Sequence, residues 1–285
     1  MKKILPTEKF HTLKPKQLSL HKYIAYYYFH SIPEKGLQRK IVFYPNYLLA
    51  LTVYQASMLK FDQNTATSQP VNSDYFHHYY GGIRREFRGS IMNSPFEKIG
   101  IVFQPLGLQY FSDVPIGPFI PRGTDLSFSY FRKKMQGTLK KVFKTGDLNA
   151  KVGFLDDFFT SQLCVFDNKL LINSVELIIN TEQNKKVKEV AESMKTSSKT
   201  LNREFKKHMN CTVKDYLEVV QFRKAFNHYL SGNGEKNLTE LAMEFDYYDQ
   251  SEFINKFRKL TGINPKKLFS SVENFGGEKL YWNTL

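Results

Sequence analysis

Two stretches in the last third of the chain repeat one pattern of apolar residues. Val187, Val190, Ala191 and Met194 share a face, Lys195 to Ser198 interrupt it, and Leu201, Phe205 and Met209 resume it. The pattern returns at Leu238, Leu241, Ala242 and Phe245, breaks at Asp246 to Asp249, and continues at Phe253, Phe257 and Leu260. Apolar residues three and four apart line one side of an α-helix, so each stretch predicts a short helix, a tight turn and a second helix. Local signals agree. Asn237 with Glu240 and Asp249 with Glu252 fit capping boxes, and Asn264-Pro265 fits an N-cap followed by proline at the first helical position. Between the two units, Thr212 with Asp215 starts a helix that runs to about Leu230. It carries one apolar stripe at Tyr216, Leu217 and Val220 and another at Val219, Phe222, Phe226 and Tyr229, which implies burial between two bodies. About 18 residues give a strut of roughly 27 Å, close to the ~34 Å repeat of major-groove faces along B-DNA.

The remainder reads differently. From about Ile41 to Gln104 the chain is rich in Tyr, Phe, Val and Ile, punctuated by Pro45, Gly81-Gly82 and Pro105, which is the language of strands and turns. From about Asn149 helical spacing takes over at Val152, Leu155, Phe159 and Leu163, and Asp167-Asn168-Lys169 reads as a linker. The fold class is therefore α+β. We expect a β-rich, barrel- or cupin-like N-terminal domain with helices over residues 1–166 and a linker at 167–173. An all-α double helix-turn-helix domain follows over 174–275, with a tail at 276–285. A chain of 285 residues has room for two such cores, and an aromatic fraction of 15% can offset the entropy of ordering them.

Several function classes recede. The basic start is interrupted by Pro6, Glu8 and Lys9 before a signal-peptide core develops, and no apolar run approaches the ~20 residues of a membrane span, so a cytoplasmic protein without membrane attachment is expected. Cys164 and Cys211 stand in no redox or zinc pattern. Adjacent His77 and His78 would point to opposite faces of a strand without a spaced carboxylate, so no metal is expected. No Ser/His/Asp set, Cys/His pair or phosphate loop suggests catalysis, and neither catalytic residues nor cofactors are expected. The net charge of +14 suggests a polyanionic partner, yet residues 1–180 hold 23 basic and 13 acidic side chains against 18 and 14 in the rest. Bulk charge does not single out the C-terminal part, so any nucleic-acid binding there must lie in arrangement.

Such an arrangement exists. A helix-turn-helix places its second helix in the major groove, where each base pair shows a distinct donor and acceptor pattern. Off the apolar face of the first unit lie Ser198, Lys199, Asn202, Arg203 and Lys206; in the second lie Gln250, Ser251, Glu252, Asn255, Lys256 and Lys259. Arg and Lys suit guanine or phosphate, Asn and Gln suit adenine. The tracts VAESMKTSSKTLNREFKKHMN and LTELAMEFDYYDQSEFINKFRKLTGINPKKLF closely resemble the tandem helix-turn-helix domain of the AraC/XylS family, over about residues 174 to 270. The resemblance implies that Lys199, Asn202 and Arg203, then Gln250, Ser251, Glu252 and Asn255, face bases. Lys195, Asn210 and Asp246 stand where the family has turn glycines, Gln221 replaces a linker-helix Arg, and Glu252 replaces a frequent His. Capping suits Glu252 better than base reading, because phosphates would repel its charge.

The resemblance implies a bacterial transcription regulator, more often an activator, that binds double-stranded DNA and engages RNA polymerase. GIVFQPLGLQYF and the DDFF at Asp156 resemble an uncharacterised N-terminal domain of some AraC-type regulators, implying a small-molecule effector or a homodimer. Alternatives are a constitutive DNA-binding protein without effector and a small-molecule enzyme domain tethered to DNA. If Ile83 to Ile91 is a strand, Arg85 shares its apolar side and needs an anion there, either an effector or a carboxylate of its own domain.

Overall fold

The computed structural model describes residues 7–71, 74–121, 127–231 and 237–271, with the backbone of 273–274 and 281–284. The β-rich half consists of two facing sheets. The first contains β1 (Lys9–Leu13), β2 (Ile24–Ile32), β4 (Leu49–Gln55), β7 (Phe76–Tyr80) and β9 (Phe96–Phe103), in the order β1-β2-β9-β4-β7 and antiparallel throughout. The second contains β3 (Gln38–Phe43), β5 (Ser57–Asp62), β6 (Thr65–Pro70) and β8 (Arg88–Asn93), with β6 and β8 parallel.

The two-residue period of a strand explains how the first sheet serves two layers. Tyr27, Phe29, Leu51, Val53, Ile99, Ile101 and Phe103 face α1 (Gln136–Lys144) and α2 (Leu148–Ser161), whose Leu139, Val142, Val152, Leu155 and Phe159 complete the main core. The alternate residues Tyr26, Tyr28, Thr52, Tyr54, Lys98 and Val102 turn toward the second sheet. Gly100 belongs to this alternate set, and a Cβ there would sit 1.9 Å from the Tyr28 ring. The missing side chain is what lets that ring lie flat on β9. Of the helical stripe read from sequence, Leu163 falls beyond the end of α2 and is half-exposed.

The expected linker is shorter than the sequence suggests. Asn168 accepts a hydrogen bond from the Leu171 N–H at 3.0 Å and so caps α3 (Lys169–Asn180), leaving little slack between the domains. The helical half continues as α4 (Val187–Ser193), α5 (Ser198–Met209), α6 (Val213–Ser231), α7 (Leu238–Glu244), α8 (Gln250–Thr261) and α9 (Pro265–Ser271). After it the chain returns to the N-terminal half: β10 (Glu273–Asn274) pairs with β11 (Tyr281–Thr284), which adds antiparallel to β3. Part of the expected tail is thus a strand of the second sheet. Among the described residues no helix is long and apolar enough to cross a membrane.

Candidate nucleic-acid interface

The two units are built alike down to their turns. The Thr196 N–H donates to the Ala191 carbonyl at 3.0 Å, and the Tyr247 N–H donates to the Ala242 carbonyl at 2.9 Å. Each bond closes the six-residue loop of a Schellman turn around a left-handed residue, Lys195 (φ 51°) in the first unit and Asp246 (φ 53°) in the second. Ala191 and Ala242, both buried, provide the close approach of each first helix. Ser197 then caps α5 by accepting from the Thr200 N–H, and Asp249 caps α8 by accepting from the Glu252 N–H.

The residues standing in place of turn glycines do adopt the left-handed conformation, Asn210 (φ 54°) included. Asp and Asn tolerate it, whereas a lysine Cβ is strained there by roughly 1–2 kcal/mol. Lys195→Gly should therefore raise stability by about 1 kcal/mol, read as a higher urea midpoint. An unchanged or lower midpoint would contradict the turn as described.

The strut α6 begins with a reciprocal cap: the Thr212 hydroxyl accepts from the Asp215 N–H, and the Asp215 carboxylate accepts from the Thr212 N–H. Its Val213, Tyr216 and Val220 enter the core of the first unit, while Phe222, Ala225 and Phe226 enter that of the second. Polar braces fix the units further. Gln221, in place of the family arginine, donates to the Phe245 carbonyl at 2.9 Å, and the Asn184 N–H donates to Asp246 at 2.7 Å. Lys224 donates to the carbonyls of Ile178 and Thr181 at the end of α3. The two second helices are therefore held by one rigid body.

On α5, Lys199, Arg203 and Lys206 are exposed and Ser198 is half-buried. Arg203 is 73% exposed and lies 3.6 Å from Glu204, too exposed for that pair to restrain it. Asn202 departs from its expected role. Its Oδ1 accepts from the Val213 N–H at 3.0 Å and its Nδ2 donates to the Ser198 carbonyl at 2.9 Å, so it staples α5 to α6 and its amide is already occupied.

On α8, Ser251, Asn255 and Lys259 are exposed, and the Gln250 oxygen accepts from the Thr239 hydroxyl. Glu252 accepts from the Tyr248 N–H at 2.7 Å and pairs with Lys256 at 2.9 Å. The Tyr248 N–H, and after it the Lys256 ammonium, hold the Glu252 carboxyl below its ordinary range. Both side chains are thereby engaged at the helix end, but the Glu252 bond goes to Tyr248, one residue before the N-cap, so the capping box expected with Asp249 is made in one direction only. Sequence reasoning passed over Lys207, Arg258 and Tyr248. All three are exposed, Tyr248 by 92%. Arg258 follows Ser251 and Asn255 at intervals of seven and three, a spacing that places it on the same face.

A family model described as "Helix-turn-helix domain" matches residues 190–271. These residues are an AraC-type helix-turn-helix domain. The chain is also similar to the Msm operon regulatory protein of Streptococcus mutans, 25% identical over 108 residues. That match covers 37% of this chain and 38% of the relative, so it spans well under half of either length. Over the whole chain, a crystal structure of ToxT from Vibrio cholerae O395 aligns with 10% identity and a TM-score of 0.44, covering 93% of this chain and 97% of that one. An unsaturated-fatty-acid-bound ToxT from strain SCE256 aligns with 12% identity and a TM-score of 0.42, covering 86% and 99%.

A second concavity sits between the two sheets and opens against the AraC-type domain. It encloses about 170 Å³ and is walled largely by apolar and aromatic groups, including Tyr26, Tyr28, Leu59 and Val102. Arg84, Arg88, Lys98 and Arg223 of α6 also line it, against one carboxylate, the exposed Glu86. Arg88 is buried over the Phe61 and Tyr79 rings, and its Nε and Nη1 have no hydrogen-bond partner among the described residues. Lys98 lies 5.4 Å from the centre of the Tyr54 ring and 5.7 Å from that of Phe43. Burial draws its pKa down to about 7, with Glu8 opposing.

Arg85 is not part of this lining. The Gly81-Gly82 break delays β8 to Arg88, so Arg85 precedes the strand instead of lying within it. Its guanidinium pairs with Asp215 at 3.2 Å and Glu218 at 2.5 Å, both on α6. The anion it needs comes from the other domain. His77 and His78 do alternate across β7, with Phe76 and Tyr80 on the side of His78 entering the main core.

Proposed function

We propose that this chain is a sequence-specific DNA-binding transcription regulator. The observation that carries it is the pair of like-built units held on one stiff α6, each presenting an exposed polar face on its second helix. Lys199 and Arg203 read one groove; Gln250, Ser251 and Asn255 read the next, with Ser198, Lys206 and Lys259 on phosphates. Asn202, Glu252 and Lys256 support the helices rather than the readout. The reading makes the protein a cytoplasmic non-enzyme, more often an activator by family resemblance, with RNA polymerase and a second copy of the chain as expected partners.

The cavity supports a regulated protein over a constitutive one. A buried, incompletely bonded guanidinium among apolar walls suits a small molecule with an anionic head and an apolar body. Because Arg223 on α6 lines the same space, such an effector touches the element that spaces the two reading helices.

The test of DNA reading is Arg203→Ala against duplexes selected by the wild-type chain from a random pool. The expected loss is about 1–3 kcal/mol, with relaxed preference in one half of the site. Equal loss on every sequence would demote Arg203 to a phosphate contact.

A further inference from the structure

The positive charge of the N-terminal half has an address. Residues 128–146 hold Arg132, Lys133, Lys134, Lys140, Lys141 and Lys144 and no acidic residue, and all six are exposed. Phe131, Met135, Leu139 and Val142 anchor the same segment in the core, so the basic groups are carried on a fixed support. Among the described residues none of the six lies within salt-bridge distance of a carboxylate; Arg132 and Lys134 donate to the hydroxyls of Tyr75 and Tyr130. A single-sign patch of this size repels itself, which suits a polyanionic partner.

Its position identifies that partner. A short turn at Gly117–Phe119 lies on the last turn of α5, so closely that a Cβ on Gly117 would meet the Lys206 and Lys207 carbonyls at about 2.5 Å. Phe119 touches Tyr130 at 5.2 Å between ring centres, and Lys134 reaches the Tyr130 hydroxyl at 3.3 Å. Two contacts therefore connect the first reading helix to the basic segment, and Lys206 and Lys207, at the α5 end of that connection, are exposed.

We propose that this basic segment, with Lys133 in the turn before α1 and Lys140 and Lys144 one turn apart on α1, binds phosphates of the duplex flanking the groove read by α5. The N-terminal domain is then a third DNA-contacting element. The inference rests on the DNA-binding reading above. It would lengthen the footprint to one side and raise the salt dependence of binding without adding sequence preference.

The test uses the full chain, a random-sequence 40-base-pair duplex, and affinity measured across a salt series. The variant K133Q/K140Q/K144Q, with folding checked by thermal melting, should lower the slope of log affinity against log salt by about 2–3 and weaken binding at least ~10-fold at 0.1 M salt. The control K9Q/K40Q/K60Q removes the same charge from exposed lysines elsewhere and should leave the slope unchanged. An unchanged slope in the first variant, with wild-type binding intact, overturns this proposal alone, as does an equal change in the control. Loss of RNA polymerase contact with an unchanged slope overturns it in favour of a protein partner. Failure of the wild-type chain to bind the duplex overturns both readings.

Discussion

Alanine in place of Phe222 should lower the stability of the helical half by about 3–5 kcal/mol. Phe222 is fully buried where α6 enters the second unit, 4.8 Å from the ring centre of Phe257 and 5.5 Å from that of Phe226. Truncation would leave a cavity whose rim cannot readily collapse, because α6 is held near its start by the Arg85 pairs and at its middle by Gln221 and Lys224. Since domain stability is about 5–15 kcal/mol, the loss should show as a large drop in urea midpoint and as reduced DNA affinity near physiological temperature. Tyr248→Ala, which removes an exposed ring, should leave the midpoint unchanged. A cost below ~1 kcal/mol for Phe222→Ala would mean that α6 is not seated in the second unit as described.

In the cavity, Arg88→Met should sharply weaken the preference for anions. Octanoate is a suitable probe and octanol its neutral counterpart. A charge-assisted bond from a buried guanidinium contributes about 1.5–3 kcal/mol, so the variant should lose roughly 10- to 150-fold in octanoate affinity and little for octanol. Binding should also depend on pH through Lys98. Below pH 7 its ammonium is already charged and affinity is flat. Above about 7 it is neutral in the empty cavity, and an anion that restores the charge must bind together with a proton. Octanoate affinity should therefore fall as pH rises above 7, with proton uptake at pH 8 visible by calorimetry in buffers of different ionisation heat. Equal binding of octanoate and octanol at all pH values would remove the anion-binding role from this cavity.

How much of this was legible beforehand follows from the range of each interaction. The helix starts at Thr212, Asn237, Asp249 and Asn264 were visible because caps are local, spanning three residues. The two-sidedness of α6 was visible because burial on two faces leaves two stripes. The fate of Asn202 was hidden, since its partner Val213 lies across a turn and periodicity reports only which residues leave the apolar face. Arg85 was misplaced for a related reason: Gly81-Gly82 shifts the strand start, and the carboxylates that satisfy it are 130 residues away on α6. The cavity was invisible for the same reason in stronger form. Arg84, Arg88, Lys98 and Arg223 converge only when two sheets and a helix from the other domain meet. The basic segment at 132–144 was countable as charge, but only its contact through Tyr130 and Gly117 relates it to α5.

The measurement that tests the central claim most directly is the spacing of the site. Selection from random duplex DNA by the full chain should enrich two short blocks with centres about one helical turn, ~10–10.5 base pairs, apart. Inserting five base pairs between them should cost at least ~100-fold in affinity, because rigid α6 cannot follow a half-turn rotation. Enrichment of a single block, or a two-block site that tolerates the insertion without loss, would contradict a pair of reading helices fixed on one strut.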